Sequence, residues 1–309
     1  MSAAASNYIV ISPVKDEEKH IETTIRAMVH QTIRPWRWVI VDDASRDRTL
    51  EIVERYSREH SWIQVLRIQR DARRQLGSAE IRAFHAGYGL IQGAHFDFIV
   101  KLDGDLDLAP DYFEQLIRKF HEDDKLGIAS GIYRENHDGE WQAVRMPVYH
   151  ASGASKMMRA KCFREIGGFE SRPGWDTVDE IKAQTRGWKT CHFENLTFLH
   201  LKPEGSAFGA IQTNLLHGEV YYVTGGDKLF FLMKLLHRML TGEPFLWGGL
   251  AMLWGYLHAW ATDKPLLVSD AEARFYQRLL NRRITVALES VLKRIGLKRE
   301  REKEAWSPS

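Results

Sequence analysis

The sequence predicts an α/β protein, built on a mostly parallel, doubly wound sheet with an added C-terminal helical region. Three observations predict it. Short β-rich apolar runs alternate with stretches of helical apolar spacing through the first two thirds of the chain. Two of those runs end in paired acids. Beyond residue 206 the strand pattern stops and apolar residues recur only at helical spacing. A length of 309 residues suffices for one large α/β domain and an appendage, so the expected division is 1–205 and 206–309.

Residues 8–12 (Y-I-V-I-S) read as a short strand stopped by Pro13, and residues 16–28 as a helix with Ile21, Ile25 and Met28 on one face and Asp16, Glu17 and Glu18 in its first turn. Residues 36–41 (W-R-W-V-I-V) read as a second strand ending in Asp42 and Asp43. Ser45, Asp47 and Thr49 are expected to cap a helix over 50–56. A third strand is expected over 62–68, then a helix over 77–92.

The organising stretch is 96–105, F-D-F-I-V-K-L-D-G-D. Its apolar body suits a strand buried on both faces. Asp103 and Asp105 are two residues apart, so an extended backbone points them to the same side, while Gly104 permits a sharp turn and close approach of a ligand. Carboxylates at the C-terminal end of a buried strand suit a hard cation, and ligands of open α/β sheets bind off that end. Two other readings compete. One is an ordinary Asp-Gly turn. The other is a calcium loop starting at Asp103, which fails because Leu108 stands where glycine is needed and Pro110 lies inside it.

After this come a helix from Pro110 to about residue 120, a strand over 126–133, a polar stretch over 134–150, and H-A-S-G-A-S-K over 150–156. A short helix over 160–166 ends at Gly167 and Gly168. An acidic-headed helix starts near Asp176, with Asp179 and Glu180 in its first turn, and a last strand over 190–199 leads into His200, Leu201 and Lys202.

Composition narrows the function. With 44% hydrophobic and 27% charged residues the chain is ordinary globular protein, and a net charge of +2 gives no reason to expect nucleic acid as a partner. Two distant cysteines, Cys162 and Cys191, make neither a disulfide framework nor a zinc site, and the first seven residues lack the features of a secretory signal, so the expected location is cytoplasmic.

The motifs S-P-V-K-D-E-E (12–18), V-D-D-A-S-R-D-R-T (41–49), R-R-Q-L-G-S-A (73–79), L-D-G-D (102–105), G-A-S (153–155), G-G-F (167–169), W-D-T-V-D-E (175–180) and R-G-W (186–188) occur in an order that resembles the family 2 glycosyltransferases, which have the GT-A fold. The resemblance spans residues 8 to about 202. Three positions depart from the family pattern: Ala44 replaces a glycine, Asp16 an asparagine and Trp175 a glutamate.

The resemblance implies an inverting glycosyltransferase that uses a nucleotide-sugar donor, UDP-linked as the expected form, with Mg²⁺ or Mn²⁺ as cofactor. Asp105 would ligate the metal, with Asp103 at the ribose or metal and His200 completing the metal site or contacting the diphosphate. Asp42 and Asp43 would hold nucleobase and ribose, with Pro13 and Glu17 lining the same pocket, Arg73 or Arg74 reaching the nucleotide and Lys202 touching phosphate. Asp176 would be the acceptor base, with Asp179 and Glu180 in reserve and residues 152–155 lining the acceptor side. The chemistry is consistent: a departing diphosphate gains from a Lewis acid, an attacking hydroxyl needs a proton acceptor, and oxygen-rich ligands suit Mg²⁺ or Mn²⁺. For the paired acids and first-turn acids, capping and macrodipole roles are the competing readings.

In the C-terminal region, Leu229, Leu232, Met233, Leu236 and Leu240 share a helix face with basic residues beside it. The uncharged 17-residue stretch 245–261 carries three tryptophans, short for a bilayer span and suited to lying in an interface. Residues 274–304 read as a basic amphipathic helix. The expectation is a protein peripheral on the inner face of the cytoplasmic membrane, making a cell-surface glycan or lipid-linked oligosaccharide from a glycan or lipid-linked acceptor. Packing of these helices on the catalytic domain or between subunits is the competing reading. A polyprenyl-phosphate sugar synthase and a non-catalytic nucleotide-sugar-binding protein are the alternative functions.

Overall fold

Alternation of side chains along the strands sorts the apolar residues of the N-terminal half onto two sheet faces, and helices cover both. Tyr8, Val10, Trp38, Ile40, Phe98 and Val100 join one apolar cluster, whereas Ile9, Ile11, Val39, Val41 and Ile99 join the other. The computed structural model describes residues 7–69, 79–202, 209–241 and 244–294. The chain divides into two compact units, Met1–Gly209 and Ala210–Ser309.

The first unit runs β1 (Tyr8–Val14), α1 (Ile21–Val29), β2 (Arg37–Asp43), α2 (Thr49–Glu59), β3 (Ile63–Ile68), α3 (Ala79–Gly89), β4 (Phe98–Leu102), β5 (Leu106–Leu108), α4 (Tyr112–Glu122), β6 (Leu126–His137), β7 (Glu140–Ala143), β8 (Ser155–Arg159), α5 (Ala160–Glu165), α6 (Trp175–Thr185) and β9 (Lys189–His200). The strands form one sheet in the order β3-β2-β1-β4-β8-β6-β9-β5, with β7 paired to β6. Residues of α1, α2 and α4 pack in the first apolar cluster, and residues of α3, α5 and α6 in the second. The doubly wound α/β architecture is therefore present.

The parallel part is β3-β2-β1-β4, while β8 runs antiparallel to both β4 and β6, and β6 pairs parallel with β9. The second half of the sheet is thus mixed. The short strands β5, β7 and β8 were not expected: β7 lies in the stretch 134–150 that reads as polar, and three to five residues are too few for an alternation to stand out.

Helix α1 begins at Ile21 rather than at Asp16. Asp16 lies in the left-handed region (φ 53°), which no helix continues through. Residues 16–18 instead lock onto the loop after β2. Their backbone N–H groups donate to Ser45 Oγ (3.0 Å), Thr49 Oγ1 (2.7 Å) and Asp47 Oδ2 (3.0 Å). In return, Arg46 N donates to Asp16 Oδ1 (2.8 Å) and Arg48 N to Glu18 Oε2 (3.1 Å). The side chains expected to cap α2 thus tie together the tips of β1 and β2.

The second unit contains α7 (Ala210–Val223), α8 (Lys228–Thr241), α9 (Trp247–Ala261) and α10 (Asp270–Arg294). Its core gathers Tyr221, Phe231, Leu235, Met252 and Leu280. Helices α7 and α9 approach so closely that a Cβ on Gly218 or Gly255 would collide with backbone of the other helix. The apolar face expected on α8 points outward, with Leu229, Leu232, Met233, Leu236 and Leu240 all exposed, as are Trp247, Trp254 and Trp260 of α9. Among the described residues, no helix is long and apolar enough to cross a membrane.

Candidate active site

The site forms where β4 ends. All five residues of β4 are buried, and the chain then turns through Asp103, Gly104 and Asp105 into β5. Thr24 of α1 anchors the turn, its hydroxyl accepting from Leu106 N (2.8 Å) and donating to Leu106 O (2.8 Å). Gly104 is required by packing, since a Cβ there would lie 2.8 Å from Val14 Cγ1 and 3.2 Å from Ile21 Cδ1. Strand β5 then pairs antiparallel with β9, placing Leu106 opposite His200, and Leu201 N donates to Asp105 O (2.8 Å). Almost one hundred residues of separation are closed by this ladder.

One ligand atom from each of Asp103, Asp105 and His200 lies within 4.8 Å of the others. His200 Nε2 is 3.5 Å from Asp105 Oδ1, and its Nδ1, buried and without a hydrogen bond, is 3.5 Å from Glu135 Oε1. Lys202 Nζ donates to Glu17 Oε1 (2.7 Å), and Lys101 Nζ to Asp103 Oδ1 (2.6 Å) and Glu80 Oε2 (3.1 Å).

These groups set five carboxylates (Glu17, Glu80, Asp103, Asp105, Glu135) against two ammonium groups and an imidazole. The titration behaviour reflects that imbalance. Burial pushes the Asp103 carboxyl up to about 7, Lys101 pulls it down, and Glu80 and Asp105 add like charge. Burial also raises Glu17, against the hydrogen bond from Lys202. Burial works to lower His200, but Asp105, with Asp103 and Glu135, outweighs it and the imidazole is raised. An excess of oxygen donors around one imidazole, with an orphaned nitrogen, fits a divalent cation of the Mg²⁺ or Mn²⁺ kind.

The paired acids Asp42 and Asp43 stand at the tip of β2. Asp42 is fully buried, and its Oδ1 accepts from Ser45 N (3.2 Å). Its Oδ2 makes no hydrogen bond, with Arg67 Nε at 3.5 Å. Asp43 is half-buried, and its carbonyl and that of Ala44 accept from Lys15 Nζ (3.2 and 3.4 Å). Ala44 adopts φ 54°, the backbone that a glycine would take without strain. Beside it a cleft is lined by Ala44, Arg67, Ile68 and Gln69. Pro13 pairs with Val41 at the end of β1. Arg73 and Arg74 lie outside the described residues.

On the other side, α6 opens after Gly174 (φ 95°) with Trp175 and Asp176. Asp176 is half-buried, and its Oδ1 accepts from Thr177 N (3.0 Å). Asp179 and Glu180 are 1% and 2% exposed, in an interior polar network. Lys156 Nζ donates to Asp176 O (3.0 Å) and to both Asp179 oxygens (3.2 and 3.0 Å), with Glu180 Oε1 at 3.6 Å. Glu180 also accepts from Ala151 N (2.7 Å) and lies 3.1 Å from His150 Nδ1. Burial and the adjacent Glu180 push Asp179 up to about 7 against the pull of Lys156. His150 is raised because Glu180 outweighs the cost of burial.

The structure therefore gathers Glu17, Asp103, Asp105, His200 and Lys202 into one cluster. The loop interlock carries Asp42 and Asp43 beside it. The contacts Trp175 Nε1 to Glu80 Oε1 (2.9 Å), Glu80 to Lys101 and Lys101 to Asp103 connect the start of α6 to the same cluster. Sequence reasoning missed Glu80, Lys101, Glu135, His150, Lys156 and Arg67. A lysine inside an otherwise apolar strand, as in F-I-V-K-L, was the available signal.

Comparison with known proteins places the chain in a family and a fold. The family model for glycosyl transferase family 2 matches residues 9–171. The undecaprenyl-phosphate 4-deoxy-4-formamido-L-arabinose transferase of Pectobacterium atrosepticum is 25% identical over 239 residues, covering 76% of this chain and 67% of that protein. Its counterpart from Pectobacterium carotovorum is 24% identical over 241 residues, with the same coverage. Among solved structures, the mannosyltransferase PcManGT from Pyrobaculum calidifontis, in complex with GDP-Man and Mn²⁺, superposes with a TM-score of 0.54 at 16% identity, over 93% of this chain and 81% of that one. TarS from S. aureus in complex with UDP-GlcNAc gives 0.50 at 14% identity, over 83% and 73%. More than half of the chain carries the family's pattern, on a GT-A fold, and the protein belongs to glycosyl transferase family 2.

Proposed function

We propose that this glycosyltransferase moves a sugar from a nucleotide-sugar donor to a lipid-linked or glycan acceptor, in a metal-dependent reaction that inverts the anomeric centre. The observation that carries the reading is the convergence of Asp103, Asp105 and His200 at the end of β4. These three residues would hold Mg²⁺ or Mn²⁺, which offsets the charge that develops on the leaving diphosphate. Lys202, held by Glu17, adds a positive group for the phosphates. Asp42, Asp43 and Pro13 line the nucleoside end, and Arg67 beside the cleft joins them; UDP is the expected nucleotide.

Asp176 is the acceptor base in this reading, because its carboxylate is half-buried and not committed to an ion pair among those described. Asp179 and Glu180 were its reserves. Their engagement with Lys156 and His150 supports a supporting role for them. Inversion follows from the family resemblance, with the acceptor oxygen displacing the diphosphate directly.

The exposed apolar faces of α8 and α9 support contact with a membrane surface, with Trp247 and Trp254, 67% and 65% exposed, suited to headgroup depth. A peripheral position on the inner face of the cytoplasmic membrane would bring the enzyme to a lipid-linked acceptor of the cell envelope. The names of the Pectobacterium relatives favour a second reading, in which the acceptor is a polyprenyl phosphate. A phosphate acceptor is already anionic and needs no base.

The test is transfer from a panel of UDP-, GDP- and other nucleotide-linked sugars with Mg²⁺ or Mn²⁺, to a polyprenyl phosphate and to hydroxyl acceptors in vesicles. Metal-dependent transfer that is lost in D105A supports the assignment, and loss in D176N selects the hydroxyl acceptor over the phosphate. Full activity of D105A contradicts the reading.

A further inference from the structure

Two lysines are enclosed in the catalytic unit on adjacent strands. Lys101 of β4 and Lys156 of β8 are register partners across the antiparallel ladder, and their side chains are 2% and 0% exposed. Each serves a different end of the site. Lys101 holds Asp103 in the cation cluster. Lys156 holds α6 through Asp179 and through the main-chain carbonyl of Asp176 itself.

The indole of Trp175 lies within reach of both. Lys101 Nζ is 5.2 Å and Lys156 Nζ 5.1 Å from its ring centroid, both within cation–π reach. Its N–H is taken by Glu80, which also binds Lys101. Its rim packs edge-on against Phe169 at 5.0 Å and 3.2 Å from where a Cβ on Gly153 would stand. The indole therefore has little freedom to rotate or slide.

Burying two ammonium groups against one ring is costly, and apolar residues of similar volume would stabilise such an interior as well or better. The arrangement is instead suited to fixing position. We infer that Lys156 and Trp175 are positioning residues that hold Asp176 at a set place relative to Asp103, the link running from the Asp176 main chain through Lys156, the indole and Lys101. The inference rests on the reading of Asp176 as the acceptor base. Neither residue touches substrate in this scheme. Their contribution is to keep the proton acceptor aligned with a donor held at the cation cluster.

Three variants test it against wild type in the same transfer assay. K156M/D179N removes both charges of the closest buried pair, and Glu180, which also faces Lys156, keeps His150 as its partner. W175F keeps a ring but deletes the N–H to Glu80 and weakens the face presented to both lysines. D176N probes the base itself. The readouts are kcat, acceptor KM, the binding of Mn²⁺ with the nucleoside diphosphate of the active donor, and thermal melting.

The expected result is a cooperative melt and unchanged nucleotide binding in K156M/D179N, with kcat lowered about 10²-fold by misplacement of the base. W175F is expected to lose about tenfold in kcat with binding likewise retained. A merely structural role would lower kcat and nucleotide binding together, or neither. Wild-type kcat in folded K156M/D179N, or nucleotide binding that weakens in step with kcat, overturns the inference. Should the double variant not fold, wild-type kcat in W175F overturns it on its own. Loss of activity in D176N with wild-type rates in the other two overturns only the positioning role. A wild-type rate in D176N overturns the base assignment and the inference with it.

Discussion

Replacing Gly104 with alanine adds one methyl group to the turn that carries both cation-site carboxylates. The new Cβ would lie 2.8 Å from Val14 Cγ1, where ordinary contact begins at 3.4 Å, a deficit of 3.4 − 2.8 = 0.6 Å. A second contact at 3.2 Å to Ile21 Cδ1 blocks relief on that side. Val14 and Ile21 are 3% and 0% exposed, so neither can swing into solvent. Overpacking of this kind costs about 1–3 kcal/mol. For a unit of this size that lowers Tm by about 2–12 °C. The functional consequence is sharper, because metal–ligand distances tolerate only about 0.2 Å of error. A shift of several tenths of an ångström at Asp103 and Asp105 should weaken Mn²⁺ binding about 10–100-fold. Calorimetric titration of Mn²⁺ in the presence of the donor's nucleoside diphosphate measures this directly. The V14A background supplies a control: with the clashing methyls gone, G104A should cost less there than in wild type, in both Tm and Mn²⁺ affinity. Wild-type Mn²⁺ affinity in G104A, or equal cost in both backgrounds, would refute the steric argument.

Other predictions bear on separate parts of the site. D105N should bind the nucleoside diphosphate without Mn²⁺ as wild type does, yet lose the extra thermal stabilisation that Mn²⁺ brings, read by a melting scan with and without the ion. If the nucleoside binds at the tip of β2 as proposed, R67A should raise donor KM about tenfold with kcat unchanged, because Arg67 stands 3.5 Å from Asp42 there. His150 has its folded-state pKa raised above the ordinary 6.5 by Glu180, so its contribution to stability is full below pH 6.5 and is lost as pH rises through the folded value. Asp179, raised from 3.8 to about 7, acts with the same sign, but its contribution is full below pH 3.8 and is lost as pH rises to about 7, so H150N should remove the fall above pH 6.5 and leave the fall at lower pH in place. Replacing Trp247 and Trp254 by serine should reduce sedimentation with anionic vesicles while leaving Tm and soluble donor hydrolysis unchanged.

Much of the fold could be read from the residues because its first half is regular. Strands β1 to β4 are apolar runs separated by amphipathic helices, and each of the first two ends in a motif that belongs to the proposed nucleotide site. The second half was harder for a physical reason. Strands β5, β7 and β8 hold three to five residues each, too few for a periodicity to stand out, and β5 pairs with a partner more than ninety positions away. The same limit applies to the site. Asp103 and Asp105 were legible from their spacing, and His200 from its place after a strand. The pairing of Leu106 with His200 that unites them was not. The acids at the head of α6 could be recognised, but not which of them would be buried: that depends on Lys156 and His150, whose positions only the packed sheet defines. Ser45 and Thr49 have the right chemistry for helix caps, yet their hydroxyls accept from the backbone of residues 16 and 17, while Asp47 does both, its Oδ1 accepting from Thr49 N (3.0 Å) at the start of α2 and its Oδ2 from Glu18 N (3.0 Å).

The most direct measurement is the anomalous scattering of Mn²⁺ in crystals grown with a nucleoside diphosphate. A peak enclosed by Asp103, Asp105 and His200, with phosphate oxygens on its open side and the nucleoside lying towards Asp42 and Arg67, is the result expected here. Nucleotide bound elsewhere, or bound at this position with the ion held by other residues, would contradict the assignment.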